Sequence, residues 1–186
     1  MVRAISGVQD VIWRLSLILG AMSLAPASAA GAEVTEQLFQ VTYTHGGKDY
    51  VADDGIVPLL PGNACYYWYL RLAETDAPVA LVERFTLPEA LSSWGTTGTM
   101  PDDPTRIEED GKVAVTTLEA TSDSEGWVSH GWCVAEGDPP GLHRIDVSAG
   151  GAGLASFEFD VVTPEDYRFP VPLPPDPDAR STNNSW

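Results

Sequence analysis

Alternation of apolar and polar residues is the strongest pattern in the chain. Ala155, Phe157, Phe159 and Val161 take one parity, and Ser156, Glu158 and Asp160 take the other. Successive side chains of an extended backbone point to opposite faces, so this period of two predicts a strand with one buried face. Ile145 and Val147 alternate with Arg144 and Asp146 in the preceding strand, and Gly150-Gly151-Ala152-Gly153 between them reads as a hairpin connection. Near the other end, Phe39, Val41 and Tyr43 alternate with Gln40, Thr42 and Thr44. His45-Gly46-Gly47-Lys48 then marks a turn into a short strand near 49–52, and Asp53-Asp54-Gly55 marks another turn.

Ala64 to Leu72 reads ACYYWYLRL, and aromatic side chains favour the pleated surface of a sheet. Tyr66, Trp68, Leu70 and Leu72 form the better core face, because the other parity carries Arg71 beside Cys65, Tyr67 and Tyr69. Val79 to Phe85 places Val79, Leu81 and Glu83 on one side and Ala80, Val82 and Arg84 on the other. Lys112 to Leu118, with Val113 and Val115 inward, and Gly126 to Val134, with Trp127, Trp132 and Cys133, supply two further strands. Leu87-Pro88-Glu89-Ala90-Leu91 suits a helical turn, since proline is tolerated at a first helical position. The stretch near 92–111 is rich in Gly, Thr, Asp and Pro and predicts a long acidic connection without a strand. Seven or eight strands without long amphipathic helices predict an all-β fold, an antiparallel β-sandwich.

The two ends have a different character. Arg3 and Arg14 precede the apolar run Leu15 to Ala25, and the small-residue stretches Ala27-Ser28-Ala29 and Ala30-Gly31-Ala32 follow. A basic front, a short apolar middle and an A-x-A ending predict a cleavable signal peptide over residues 1–30. The apolar run is shorter than the roughly 20 residues that span a bilayer, so stable membrane insertion is not expected. The expected location is the periplasm or the exterior. Residues 31–169 then form a single domain, and residues 170–186 are a proline-rich polar tail whose prolines suppress sheet pairing.

Charge narrows the partners. The 186 residues hold 10 Lys plus Arg against 27 Asp plus Glu, a formal net charge of −17. Such a surface repels nucleic acid and anionic lipid and suits a basic partner. The chain holds two cysteines, Cys65 and Cys133, each in a candidate strand. An oxidising compartment permits a disulfide between them, and Tyr66 and Trp132 beside the sulfurs suggest a staple in the core. A redox or metal pair would want closer spacing, and two free thiols are the remaining alternative.

No residue pattern names a reaction. His45, His130 and His143 are scattered and make no H-x-H or H-E-x-x-H arrangement, and neither G-x-S-x-G nor a phosphate-cradling loop occurs. The reading is therefore not an enzyme, with no cofactor. Asp102, Asp103, Glu108, Glu109 and Asp110 are weak calcium candidates, because EF-hand spacing is absent. The aromatics are better candidates for binding. Tyr67 and Tyr69 lie off the core parity, Trp94 stands at the entrance of the long connection, and Tyr167, Phe169 and Trp186 flank or end the tail. Exposed aromatics of this kind anchor protein partners or stack on sugar rings.

The segment from Gly131 to Val162 resembles the closing half of bacterial secreted immunoglobulin-like domains of unknown function. The resemblance rests on Trp132, then Asp138, Pro139 and Gly141 in a turn, Ile145 and Val147 in a strand, Gly151 in the next turn, and Phe157, Phe159 and Val161 in the last strand. It implies an immunoglobulin-like β-sandwich and says nearly nothing of activity. Cys133 directly follows Trp132, which departs from the antibody pattern, where tryptophan and second cysteine stand well apart. The expected function is a non-enzymatic, exported protein-interaction or structural module of the bacterial envelope. Its partner is a protein or envelope component. The alternative is a carbohydrate-binding module whose Tyr67, Tyr69 and Trp94 form an exposed coplanar row.

Overall fold

The computed structural model describes residues 32–94 and 104–170. The leader over 1–30, Asp102, Asp103 and nearly all of the tail, including Trp186, lie outside the described residues.

Ten strands follow in chain order: β1 (Val34–His45), β2 (Lys48–Ala52), β3 (Ile56–Pro58), β4 (Ala64–Leu72), β5 (Pro78–Thr86), β6 (Thr105–Glu108), β7 (Val113–Thr121), β8 (Trp127–Cys133), β9 (Gly141–Ala149) and β10 (Ala152–Val162). They form a four-stranded sheet, β2-β1-β4-β8, and a six-stranded sheet, β3-β10-β9-β5-β7-β6. Every pairing is antiparallel except β3 with β10. The chain changes sheets repeatedly, and an early strand adds in parallel beside the last one. This is an immunoglobulin-like β-sandwich.

Each alternating segment closes over one core. Tyr66, Trp68, Leu70 and Leu72 of β4 face Phe157, Phe159 and Val161 of β10 and Ile145 and Val147 of β9 across an interior that all of them help to bury. Aromatic rings fill its middle, with Tyr66 4.7 Å and Phe39 4.8 Å from Phe159 between ring centroids. Gly46 and Gly47 turn β1 into β2, and Gly150 and Gly151 turn β9 into β10, all at positive φ.

Four local expectations are corrected. The strand count exceeds seven or eight because β3 and β6 are too short to show a period. The second of these forms inside the stretch read as strandless, where Thr105 to Glu108 pair with Val113 to Thr116. In β7 the inward set is Ala114, Thr116 and Leu118, opposite Phe85, Glu83 and Leu81, whereas Val115 lies on the outer parity beside Arg84 and Arg106; Val113 shares that parity but is fully buried at the start of the strand. Residues 87–91 form bends, not a helical turn.

The disulfide joins Cys65 to Cys133. These residues are directly opposed on adjacent strands of one sheet, on the face turned away from the core. The bond therefore staples β8 to β4 from outside, in place of the staple expected within the core. Both cysteines take the outward parity, as Tyr67 and Tyr69 do, so the disulfide and the core assignment of Tyr66, Trp68, Leu70 and Leu72 hold together in one continuous register.

His143 lies buried on β9 against the rings of Phe85 and Phe159, at 5.8 and 5.4 Å. Its Nδ1 donates to the carbonyl of Gly141 at 2.9 Å. Burial holds the imidazole below the ordinary histidine range, against smaller opposing effects of that carbonyl and Asp160. The unfolded chain then takes up a proton more readily than the folded one. The contribution to stability is complete above the ordinary pKa of about 6.5 and is lost as pH falls toward the lowered folded value. The urea midpoint of the wild type should fall more between pH 7 and pH 5 than that of His143→Phe. Parallel profiles would contradict this assignment.

Candidate functional site

A carboxylate lies at the centre of the sandwich. Glu83 of β5 is fully buried, and alternation puts its side chain on the inward face with Leu81 and Phe85. β5 belongs to the six-stranded sheet, while the groups that meet this carboxylate come from β4 and β8 of the other sheet. Trp132 Nε1 donates to Oε1 at 2.7 Å, Trp68 Nε1 donates to Oε2, and His130 Nδ1 lies 2.9 Å from Oε2. An indole N–H can only donate, so two of the three contacts are fixed in direction. A carboxylate also accepts from the third, which puts the proton of His130 on Nδ1. The result is a polar clasp that joins the two sheets, in the interior where antibody domains place their disulfide. Among the described residues no fully buried side-chain nitrogen or oxygen lacks a partner.

Strand registers explain the convergence. Trp68 pairs with His130 and Tyr66 with Trp132 between β4 and β8, so Trp68, His130 and Trp132 crowd one inward patch. Alternation alone marks Glu83 only as one member of a strand. The available signal was chemical. Two tryptophans on core faces each carry a donor that must find an acceptor when buried, and Glu83 shares the parity of Leu81 and Phe85.

The outer face of the four-stranded sheet carries the other notable cluster. Tyr67 and Tyr69 are half-buried there with ring centroids 6.5 Å apart and planes inclined by 42°. Gly131 lies opposite Tyr67 on β8. A Cβ there would meet Tyr67 Cδ1 at 2.2 Å and the Tyr66 carbonyl at 2.7 Å, so the missing side chain is what lets the Tyr67 ring lie flat across the strand. Beside them Leu38, Tyr69, Asp123, Trp127 and Ser129 line a shallow depression of about 340 Å³. The Arg71 guanidinium sits 5.8 Å from the Trp127 ring and 3.5 Å from the Glu36 carboxylate, so charge and aromatic surface share this face.

The remaining candidates lie elsewhere. Trp94 is part-buried against the core, 5.7 Å from Phe85 and 6.1 Å from Trp132, with its N–H donating to the Gly111 carbonyl at 2.8 Å. The coplanar row of Tyr67, Tyr69 and Trp94 is therefore not formed. Tyr167 and Phe169 come together at 4.8 Å and pack on the chain's own hairpin, with Tyr167 against Tyr43 and Phe169 stacked 3.8 Å from His45. Burial, reinforced by a hydrogen bond with Tyr43, pushes the Tyr167 phenol up. Glu108 and Glu109 are taken by Arg84, and Glu108 also by Arg106. Hydrogen bonds from Arg106 and then Arg84 hold the Glu108 carboxyl below the ordinary carboxylate range. Asp110 sits in a tight 3-10 turn at positive φ. Among the described residues no three His, Cys, Asp or Glu side chains converge as metal ligands do, and no helix is long and apolar enough to cross a membrane.

A family model described as the PM0630 beta sandwich domain matches residues 38–162, a span that holds the Glu83 clasp and both cysteines. Among solved structures, the crystal structure of an immunoglobulin-like protein from Pseudomonas aeruginosa is similar at 16% identity, covering 73% of this chain and 99% of that one, with a TM-score of 0.43. No curated protein matches.

Proposed function

The chain belongs to the PM0630 beta sandwich domain family, and on that footing we propose that it is a non-enzymatic, exported interaction module of the bacterial envelope. Its leader carries it to the periplasm or the exterior, and it docks a protein partner on the outer face of the four-stranded sheet. The observation that supports this reading is the chemistry of that face. Tyr67, Tyr69 and Trp127 are half-buried on it, Leu38 is 41% exposed, and a shallow depression lies among them. Aromatic anchors partly sunk in a sheet supply contact area with little rotamer entropy to lose, which is the character of binding hot spots. The net charge of −17, with Glu36 and Asp123 beside the aromatics, favours a partner with a basic surface. The carboxylate that looks most like a catalytic group, Glu83, is consumed by three donors of the core.

The test is recovery of a partner from native envelope extract by the mature protein. Three forms are compared: the wild type, a Tyr69→Ala/Trp127→Ala double variant, and a chain ending at Thr163. A hot-spot aromatic contributes about 2 kcal/mol or more, so the double variant should weaken capture at least about 30-fold while keeping the wild-type circular-dichroism spectrum. Equal capture by wild type and double variant would remove the outer face from the interaction. Loss on truncation alone would move it to the tail.

A further inference from the structure

A second cleft opens between the sheets, and its floor reaches the clasp. It encloses about 350 Å³ between the end of β7 and β8. Leu81, Leu118, Ala120 and Val128 supply apolar walls, with Trp68 and His130 at the floor. The registers explain why it stays open. β6 pairs only with Val113 to Thr116, which leaves the later half of β7 uncovered, and β8 is the last strand of its own sheet.

His130 is 5% exposed. Its Nδ1 is held by Glu83, and among the described residues no protein group partners Nε2. No fully occluded side-chain nitrogen or oxygen of the described residues lacks a partner, so Nε2 must open onto the cleft that His130 lines. In the neutral imidazole, a proton on Nδ1 leaves a lone pair on Nε2. Glu83 acts here as a positioning residue, because it sets the tautomer without touching the cleft. Glu119 at the rim and the charge of −17 disfavour an anionic ligand.

We propose that this cleft binds a small neutral aromatic molecule carrying one O–H or N–H donor, of the phenol or indole class, with the donor directed at His130 Nε2. The ring fills the space among Leu81, Leu118, Ala120 and Val128, and one hydrogen bond fixes its orientation. Sites of this kind combine apolar walls with a few placed polar groups, and about 350 Å³ is within their usual range. The inference does not depend on the outer face that the proposed interaction uses, and either stands without the other.

The experiment titrates phenol into the folded full-length mature protein and follows the imidazole resonances of His130 and the indole N–H resonances. Saturable shifts at His130 and Trp68 are expected, with a Kd of about millimolar order for so small a probe. Anisole, which keeps the ring and removes the donor, should bind about five-fold or more weakly, and benzoate more weakly still. Ala120→Phe, which places a ring in the cleft, should abolish phenol binding. The proposal is overturned by absence of saturable shifts, by shifts centred away from His130 and Trp68, or by equal affinity for phenol and anisole. The last three comparisons use the unaltered protein and hold even if Ala120→Phe does not fold.

Discussion

Glu83→Ala should lower the free energy of unfolding by about 3–5 kcal/mol, read as a loss of urea midpoint at neutral pH. The carboxylate is fully buried, and three donors from the other sheet depend on it. Removing it leaves two indole N–H groups and an imidazole in the core without acceptors, and each orphaned donor costs about 1–3 kcal/mol of desolvation. A methyl group also leaves a cavity where the carboxylate stood. Glu83→Gln separates these effects. It keeps the volume and one acceptor oxygen but turns an NH2 toward a donor, so it should cost less than alanine. The clasp further predicts non-additivity, because Glu83→Gln combined with Trp132→Phe removes one shared contact twice. The double variant should be more stable than the sum of the two losses implies, by about 0.5–3 kcal/mol. An exactly additive pair would separate Trp132 from the carboxylate.

The second large effect concerns the disulfide. Cys65→Ser/Cys133→Ser should cost about 4 kcal/mol on the chain-entropy model, since the bond closes a separation of 68 residues. The staple lies on the outer face of β4 and β8, apart from the core. The variant should therefore keep the near-ultraviolet spectrum of its buried tryptophans while its urea midpoint falls. β8 is an edge strand, so its amide protection should fall before that of β9 and β10. Loss of near-ultraviolet structure at zero urea would mean that the bond holds the core itself.

These two linkages were legible to different degrees in the residue pattern. β4 and β10 were readable because one face of each is wholly apolar, and alternation is the signal that burial leaves in a strand. The glycine hairpins were readable because positive φ is a local demand. The position of the disulfide followed from parity once the two strands were known to be neighbours, but neighbourhood is a property of the whole fold. Glu83 was not readable by alternation, since a charged residue on an inward parity looks the same as an interruption of the pattern. Two of its partners stand 47 and 49 residues away on β8, and the third, Trp68, stands 15 residues away on β4. β6 escaped notice because four residues within a Gly, Asp and Pro-rich stretch cannot show a period. β7 was read one residue out of phase because Val113 and Val115 are more apolar than Thr116. Thr116 faces inward opposite Glu83, at the polar centre of the core. The candidate binding residues divided on the same ground: Tyr67 and Tyr69 share a parity and so meet, whereas Trp94 lies beyond β5, in a segment that follows the other sheet.

The most direct test of the polar clasp is hydrogen exchange at the indole N–H groups of Trp68 and Trp132, followed in a nitrogen-edited spectrum of the wild type and of Glu83→Gln. The clasp predicts two indole protons in the wild type that exchange only with global unfolding and that shift and exchange faster in Glu83→Gln. Rapid exchange of either indole in the folded wild type, or resonances untouched by the substitution, would contradict a carboxylate joining the two sheets.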